Sequence, residues 1–393
     1  MKKLVLALAA TTFMSTAALA EDIKIGVFLG FTGPIESTVA NMGPGAELAI
    51  KEVSDSGALL DGVKVEAVRG DTTCIDAAAA TAAAERLITT DKVKAMVGGD
   101  CSGVTGAALQ NVARPNGIVM ISPSATSPGL STAEDDGLFF RTAPSDARQG
   151  EIVRDILQEK GVKSVAITYT NNDYGKGLAE AIQKNFEAAG GKVTISAAHE
   201  DGKGDYSAEV GALAQAGGEV LVVAGYLDQG GKGIIQAALD TGAFDTFYLP
   251  DGMAGDALVE AIGSGLNGSY GANPGTDSPG ASTYADMAKA AGFEAAAFSA
   301  ESYDAAALIL LAMQAAGSTE SAKLKEKVME VANAPGEKIY PGELAKALKI
   351  LKDGGDIDYV GASAVELVGP GESAGNYREF VIKDGKIETV KYR

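Results

Sequence analysis

Val93-Lys94-Ala95-Met96-Val97-Gly98 is a short apolar run, and Gly99-Asp100-Cys101-Ser102-Gly103 follows it at once. The run has the length of a buried strand, the residues from Gly103 to Val112 have helical spacing, and Gly117-Ile118-Val119-Met120-Ile121 is another strand. Strand, helix and strand in close succession mark a βαβ unit and a parallel sheet. The same alternation runs outward in both directions. Ile23 to Leu29 reads as a strand, Ala46 to Val53 as a helix stopping near Gly57, Val63 to Val68 as a strand and Ile75 to Thr90 as an alanine-rich helix. After Arg141 a second series begins. Helices at Asp146 to Lys160, Tyr174 to Ala189 and Tyr206 to Ala216, and one ending near Thr241, alternate with strands at Ser164 to Tyr169, Lys192 to Ala198, Glu219 to Ala224 and Thr246 to Pro250. Two series predict two doubly wound α/β lobes. Residues 278–352 read as mostly helical, and the tail from Ala364 to Tyr392 as short strands.

Composition narrows the function. The chain has 393 residues, 46% of them hydrophobic, which is far too apolar for a disordered segment. Its formal charge of −19 argues against nucleic acid and against binding to anionic lipid, both of which need a basic face. One histidine excludes multi-histidine metal sites, and two cysteines exclude a Cys₄ zinc site or an iron–sulfur cluster. No cofactor and no metal are expected. Met1-Lys2-Lys3, the apolar run from Leu4 and Ala18-Leu19-Ala20 form the three parts of a bacterial secretory signal peptide over residues 1–20. The apolar run is too short for a membrane anchor, and no later segment is long and apolar enough to span. Loss of Lys2 and Lys3 would move the charge from −19 to −21. Export to an oxidising compartment favours a disulfide between Cys74 and Cys101, with two buried free thiols as the alternative.

Catalytic motifs are scarce. Gly263-Ser264-Gly265-Leu266-Asn267-Gly268 spells a dinucleotide loop, but it follows a helical pattern and opens no helix, so it reads as a turn. No nucleophile elbow, zinc-protease or P-loop string occurs, and the lone His199 reads as a surface residue at a strand end. The segments just after strands are more informative, because open parallel sheets bind ligands beyond their carboxyl ends. Ser102 can cap a helix or face an anion. Ser122-Pro123-Ser124-Ala125-Thr126-Ser127-Pro128 is either an ordinary turn or a rigid loop offering hydroxyls and backbone groups to a zwitterion. Gly225-Tyr226 and Pro250-Asp251-Gly252 close two strands of the second series. Asp251 can belong to a plain Asp-Gly turn, or it can balance an ammonium group in a cleft between lobes. The shared position of these segments favours a binding cleft.

The mature chain resembles the periplasmic solute-binding proteins of branched-chain amino acid ABC transporters, the leucine/isoleucine/valine type. Ile23-Lys24-Ile25-Gly26, Phe31-Thr32-Gly33-Pro34, Gly45-Ala46-Glu47-Leu48-Ala49-Ile50, Cys101-Ser102, Ile121-Ser122-Pro123-Ser124-Ala125-Thr126, Phe140-Arg141-Thr142, Gln149-Gly150, Asp173-Tyr174-Gly175-Lys176-Gly177 and Pro250-Asp251-Gly252 carry the likeness in order. The resemblance implies a type I periplasmic binding protein fold, with two lobes joined by three crossovers and hinge closure on a ligand. It also implies a disulfide at Cys74 and Cys101. The expected lobes are residues 21–142 plus 274–352 and residues 143–273 plus 353–393. Residue by residue, it assigns Ser102 to the ligand carboxylate, Thr126 to carboxylate and ammonium, the Ser124 carbonyl and Asp251 to the ammonium, Tyr174 and Tyr226 to the far wall, and Phe298 to the side-chain pocket. Met42 lies near a position often held by an aromatic. This sequence has Asp251 where leucine binders have the longer Glu, and its 35–39 loop places Glu36 near the pocket mouth. The resemblance therefore predicts a periplasmic monomer that captures an amino acid and delivers it to a membrane ABC permease. Other small zwitterions, amides and carboxylic acids are alternative ligands, and a sensory module is an alternative role. An enzyme is disfavoured, because only His199 could serve as an imidazole base.

Overall fold

The structure, a computed structural model, describes residues 22–393; the signal peptide expected at residues 1–20 lies outside them. In the first lobe, strands β1 (Ile23–Leu29), β2 (Val65–Asp71), β3 (Ala95–Gly98), β4 (Met120–Ser122) and β5 (Phe139–Pro144) run parallel. In the second, β6 (Ser164–Thr170), β7 (Lys192–His199), β8 (Val220–Ala224), β9 (Phe247–Leu249) and β10 (Tyr270–Pro274) do the same. A small pair, β11 (Glu337–Ile339) with β12 (Ile357–Tyr359), stands apart. The tail supplies β13 (Leu367–Val368), β14 (Glu372–Ser373), β15 (Tyr377–Lys383) and β16 (Lys386–Tyr392).

The two sheets have matching orders, β13-β14-β5-β4-β3-β1-β2 and β16-β15-β10-β9-β8-β6-β7. Each is a doubly wound α/β layer, as the alternation predicts. Every residue of β3 and β8 is buried, which is why these strands read as unbroken apolar runs. Strand β3 approaches β1 so closely that a Cβ on Gly98 would lie 1.9 Å from the Phe28 carbonyl oxygen, and φ there is +130°. Only glycine fits.

The chain crosses between lobes after Pro144, after Pro274 and between Ser373 and Tyr377. The crossings lie side by side: Gly275 N donates to Asn376 O at 3.0 Å, and a Cβ on Gly375 would meet Pro144 at 2.9 Å. The third crossing corrects the boundary expected at residue 353. Residues 367–373 add to the first sheet, because β14 pairs with β5 and Glu372 there neutralises Arg141, a guanidinium only 1% exposed, at 2.6 Å. A buried guanidinium left without a counter-charge would be strongly destabilising.

Helix Ser299–Ala316 lies within the stretch read as helical over residues 278–352, and it is buried on all sides from Glu301 to Gln314. Two of its buried polar residues, Asp304 and Gln314, are hydrogen-bonded. Asp304 accepts from Tyr359, Ala362 N and both the amide and the hydroxyl of Ser363 at 2.6–2.8 Å, and Gln314 accepts from Leu60 N at 2.8 Å. Among the described residues, no helix is long and apolar enough to cross a membrane.

Candidate functional site

The carboxyl ends of both sheets face each other across the cleft, and the loops after the strands surround a small cavity of about 30 Å³. Ile35, Thr38, Asp100, Cys101, Ser102, Ser124 and Phe298 line it from the first lobe, and Tyr174, Tyr226, Asp251 and Gly252 from the second. Six of the sequence-selected residues therefore meet here: Ser102, Ser124, Tyr174, Tyr226, Asp251 and Phe298.

Each is set by local structure. Tyr174 enters on the first turn of helix Asp173–Ala188, which Asn172 caps by accepting from Gly175 N at 3.0 Å. Its ring stacks on Tyr226 with centroids 5.2 Å apart, and the Tyr226 hydroxyl accepts from Asn172 at 3.3 Å. Asp251 opens a short turn after β9. Its Oδ1 accepts from the Tyr174 hydroxyl at 2.7 Å and from Gly252 N at 2.9 Å, while its own amide donates to Gln149 Oε1 at 3.3 Å. Gly252 is required by crowding, since a Cβ would lie 2.6 Å from the Tyr174 oxygen.

Ser102 begins helix Ser102–Ala108, but it is not the cap: Cys101 holds that position and no side chain caps it. The Ser102 hydroxyl accepts from Ser127 N at 3.0 Å, joining the two post-strand loops. Its own proton stays free to donate. Ser124 donates to the Asp100 carbonyl at 3.1 Å. Beneath these loops runs the Cys74–Cys101 disulfide, with Cα atoms 5.1 Å apart.

Four sequence assignments fall elsewhere. Met42 is fully buried in the first lobe's core and does not line the cavity. The helix carrying it starts at Glu36, so Ile35 and Thr38 present the wall and Met42 sits one turn deeper. Thr126 also lies behind the cavity wall, fully buried, with its hydroxyl unpartnered. Glu36 is exposed and is not among the residues lining the cavity. His199 is not on the surface: it is 1% exposed at the end of β7, and its Nδ1 lies 2.8 Å from the Thr168 hydroxyl.

The sequence reading missed Asp100, Asp146 and Gln149. Asp100 is 1% exposed and accepts from Gly30 N and the Thr72 hydroxyl, both at 2.7 Å. Asp146, fully buried, begins helix Asp146–Glu159 and accepts from Gln149 Nε2 at 3.2 Å, while its Oδ2 has no partner. The position of Asp100 directly after β3 was the available signal for it; Asp146 carried no local signal.

Burial pushes the Asp100, Asp146 and Asp251 carboxyls upward, and for Asp146 the nearby Asp251 charge adds to the effect. Among the described residues, no lysine or arginine lines the cavity. The arrangement is an acidic, partly apolar enclosure with hydroxyl donors on the opposite wall. It suits a small molecule that brings a cationic group of its own.

The periplasmic binding protein family model matches residues 22–339. The Leu/Ile/Val-binding protein homolog 1 of Brucella melitensis is 32% identical over 316 residues, covering 79% of this chain and 82% of that protein. The leucine-, isoleucine-, valine-, threonine- and alanine-binding protein of Pseudomonas aeruginosa is 30% identical over 269 residues, covering 68% of this chain and 70% of that protein. Among solved structures, the branched-chain amino acid transporter substrate-binding protein of Streptococcus pneumoniae, in complex with isoleucine, matches with a TM-score of 0.77 at 24% identity, over 94% of this chain and 99% of that one.

Proposed function

Because this chain belongs to the periplasmic binding protein family, we propose that it captures an amino acid with a short, mainly aliphatic side chain and delivers it to an ABC importer. The observation that carries this reading is Asp251, a carboxylate 3% exposed on the wall of an interlobe cavity that, among the described residues, no basic side chain lines. Burying a charge without a partner costs several kcal/mol. A ligand ammonium would supply the missing partner, and Asp146 behind it adds negative potential. The free proton of Ser102 would serve the ligand carboxylate. Ile35 and Phe298 would contact an aliphatic side chain, with Thr38 near enough to tolerate a hydroxyl.

The relatives named for leucine, isoleucine and valine support this ligand class. The shorter Asp251, in place of the leucine binders' Glu, draws the ammonium toward the second lobe. The chain acts as a monomer in the periplasm after loss of residues 1–20, turns over no substrate, and docks on a membrane permease.

Native mass spectrometry of the purified protein, followed by a thermal-shift panel of amino acids, tests the reading. Ligand at a hundredfold excess over Kd stabilises the fold by about 2.7 kcal/mol. Leucine, isoleucine, valine or threonine should raise the melting temperature. A panel in which only non-amino acids do so would overturn the reading.

A further inference from the structure

Helix Glu36–Ser56 has no cap of its own, since Ile35 precedes it without a side-chain hydrogen bond. The cap comes from the other lobe. Ser37 donates its amide at 3.0 Å and its hydroxyl at 2.8 Å to the same oxygen, Asp228 Oδ2. Asp228 N donates in turn to Pro34 O at 3.1 Å. Asp228 follows β8 in the second lobe, and Pro34 and Ser37 follow β1 in the first, so all three bonds span the cleft.

Their place in the fold gives them leverage. The crossings leave from β5, β10 and β14, while β1 lies three strands from β5 and farther still from β14, and β8 lies two strands from β10. The bonds therefore lie toward the mouth, away from the hinge. They also adjoin the cavity: Ile35 and Thr38 flank Ser37 and line it, as does Tyr226, two residues before Asp228.

We infer that Asp228 is a positioning residue for ligand capture, a helix cap supplied across the cleft only when the lobes are shut. The first N–H groups of a helix lack partners within it and carry partial positive charge, and a carboxylate is among their preferred partners. In the open state water serves both groups. On closure Asp228 takes over, and the turn that holds it also touches the ligand, so a ligand that seats Ile35 and Thr38 favours the capped state. This rests on the cleft being the ligand site.

Two experiments test it. Asp228→Ala should raise the Kd for L-leucine about tenfold, the worth of a typical cap, mainly through faster release. Asp228→Asn, which keeps an acceptor without the charge, should recover part of the loss. Wild-type affinity and release in Asp228→Ala would overturn the inference. Separately, Ser37→Cys combined with Asp228→Cys should crosslink on oxidation without ligand, and X-ray scattering should then show a compact particle. No crosslink would overturn the inference as well. Failure of leucine to bind the wild-type protein would instead count against the proposed ligand, and the crosslink would decide the closure question alone.

Discussion

Tyr174 donates its phenol to Asp251 Oδ1 at 2.7 Å, and the same phenol oxygen accepts the Gly252 amide at 3.1 Å. Burial and the neighbouring carboxylates hold the Tyr174 hydroxyl well above its ordinary pKa, so it stays a donor. Asp251 thus has one oxygen fixed by its own lobe, and its orientation is set before any ligand arrives. Such preorganisation lowers the cost of binding.

Asp251→Ala should weaken amino-acid binding by about 100-fold or more, since removing one partner of a buried charge pair costs roughly 2–5 kcal/mol. Tyr174→Phe should weaken it about tenfold, through loss of a hydrogen bond to a charged group. Calorimetric titration measures both. The ligand-free melting temperature of Asp251→Ala should not fall, because the substitution relieves Asp146 of a nearby negative charge.

Binding should release a proton. In the free protein the Asp146 and Asp251 carboxyls sit above their ordinary pKa, because burial disfavours charge and, for Asp146, the Asp251 charge adds to it. A ligand ammonium favours the ionised pair and lowers both. Affinity should therefore rise with pH through the range in which the free pair loses its proton, then level off. Calorimetry in buffers of different ionisation enthalpy measures the protons released. Equal apparent enthalpies in all buffers at acidic pH would count against the coupling, and Asp146→Asn should reduce the number of protons released.

The alternation that gives two doubly wound lobes was legible because β3 and β8 are buried throughout and their apolar runs are unbroken. The start of helix Glu36–Ser56 was not legible. Gly43, Pro44 and Gly45 lie inside it, and all three weaken a helix locally. Tertiary packing overrides them: a Cβ on Gly45 would lie 2.5 Å from the Ser299 carbonyl oxygen, so the small residue lets two helices touch. Met42 came from the family likeness, as a position often held by an aromatic, and in this helix it lies one turn deeper than Thr38. The placement of residues 367–373 was hidden for a different reason, since Arg141 and Glu372 are 231 positions apart and neither names the other in the sequence. Six cavity residues were readable because each follows a strand, or was carried by the family likeness. Asp146 was not, since an acid in the first turn of a helix is ordinary.

The disulfide ties the turn after β2 to the start of helix Ser102–Ala108. It closes 27 positions, so the loop-entropy relation assigns it about 3.5 kcal/mol. Replacing both Cys74 and Cys101 by serine should lower unfolding stability by roughly that amount in denaturant titration. Ligand affinity should fall too, because Ser102 adjoins Cys101. A variant with full stability would show that the crosslink is not a structural support.

Glu301 is buried in the first turn of its helix, and burial raises its pKa to about 7. A carboxyl raised in the fold and ordinary in the unfolded chain binds more protons when folded. Its cost is absent below about pH 4.5 and grows as pH rises toward 7. Glu301→Gln should therefore leave stability nearly unchanged at pH 5 and increase it at pH 8, by up to about 3 kcal/mol. Chemical denaturation at the two values tests the sign.

His199 acts in the opposite direction. Burial lowers its pKa from 6.5 to about 4, and its Nε2 has no partner among the described residues. The unfolded chain takes up a proton near pH 6.5 and the folded chain does so only near 4, so stability falls as pH drops between them. The cost approaches about 3 kcal/mol and then levels off. As the chain contains a single histidine, one imidazole resonance reports the titration directly. It should stay neutral until about pH 4 while the protein remains folded. A midpoint near 6.5 would place the ring in water, contrary to its packing against Gly225 and Gly230.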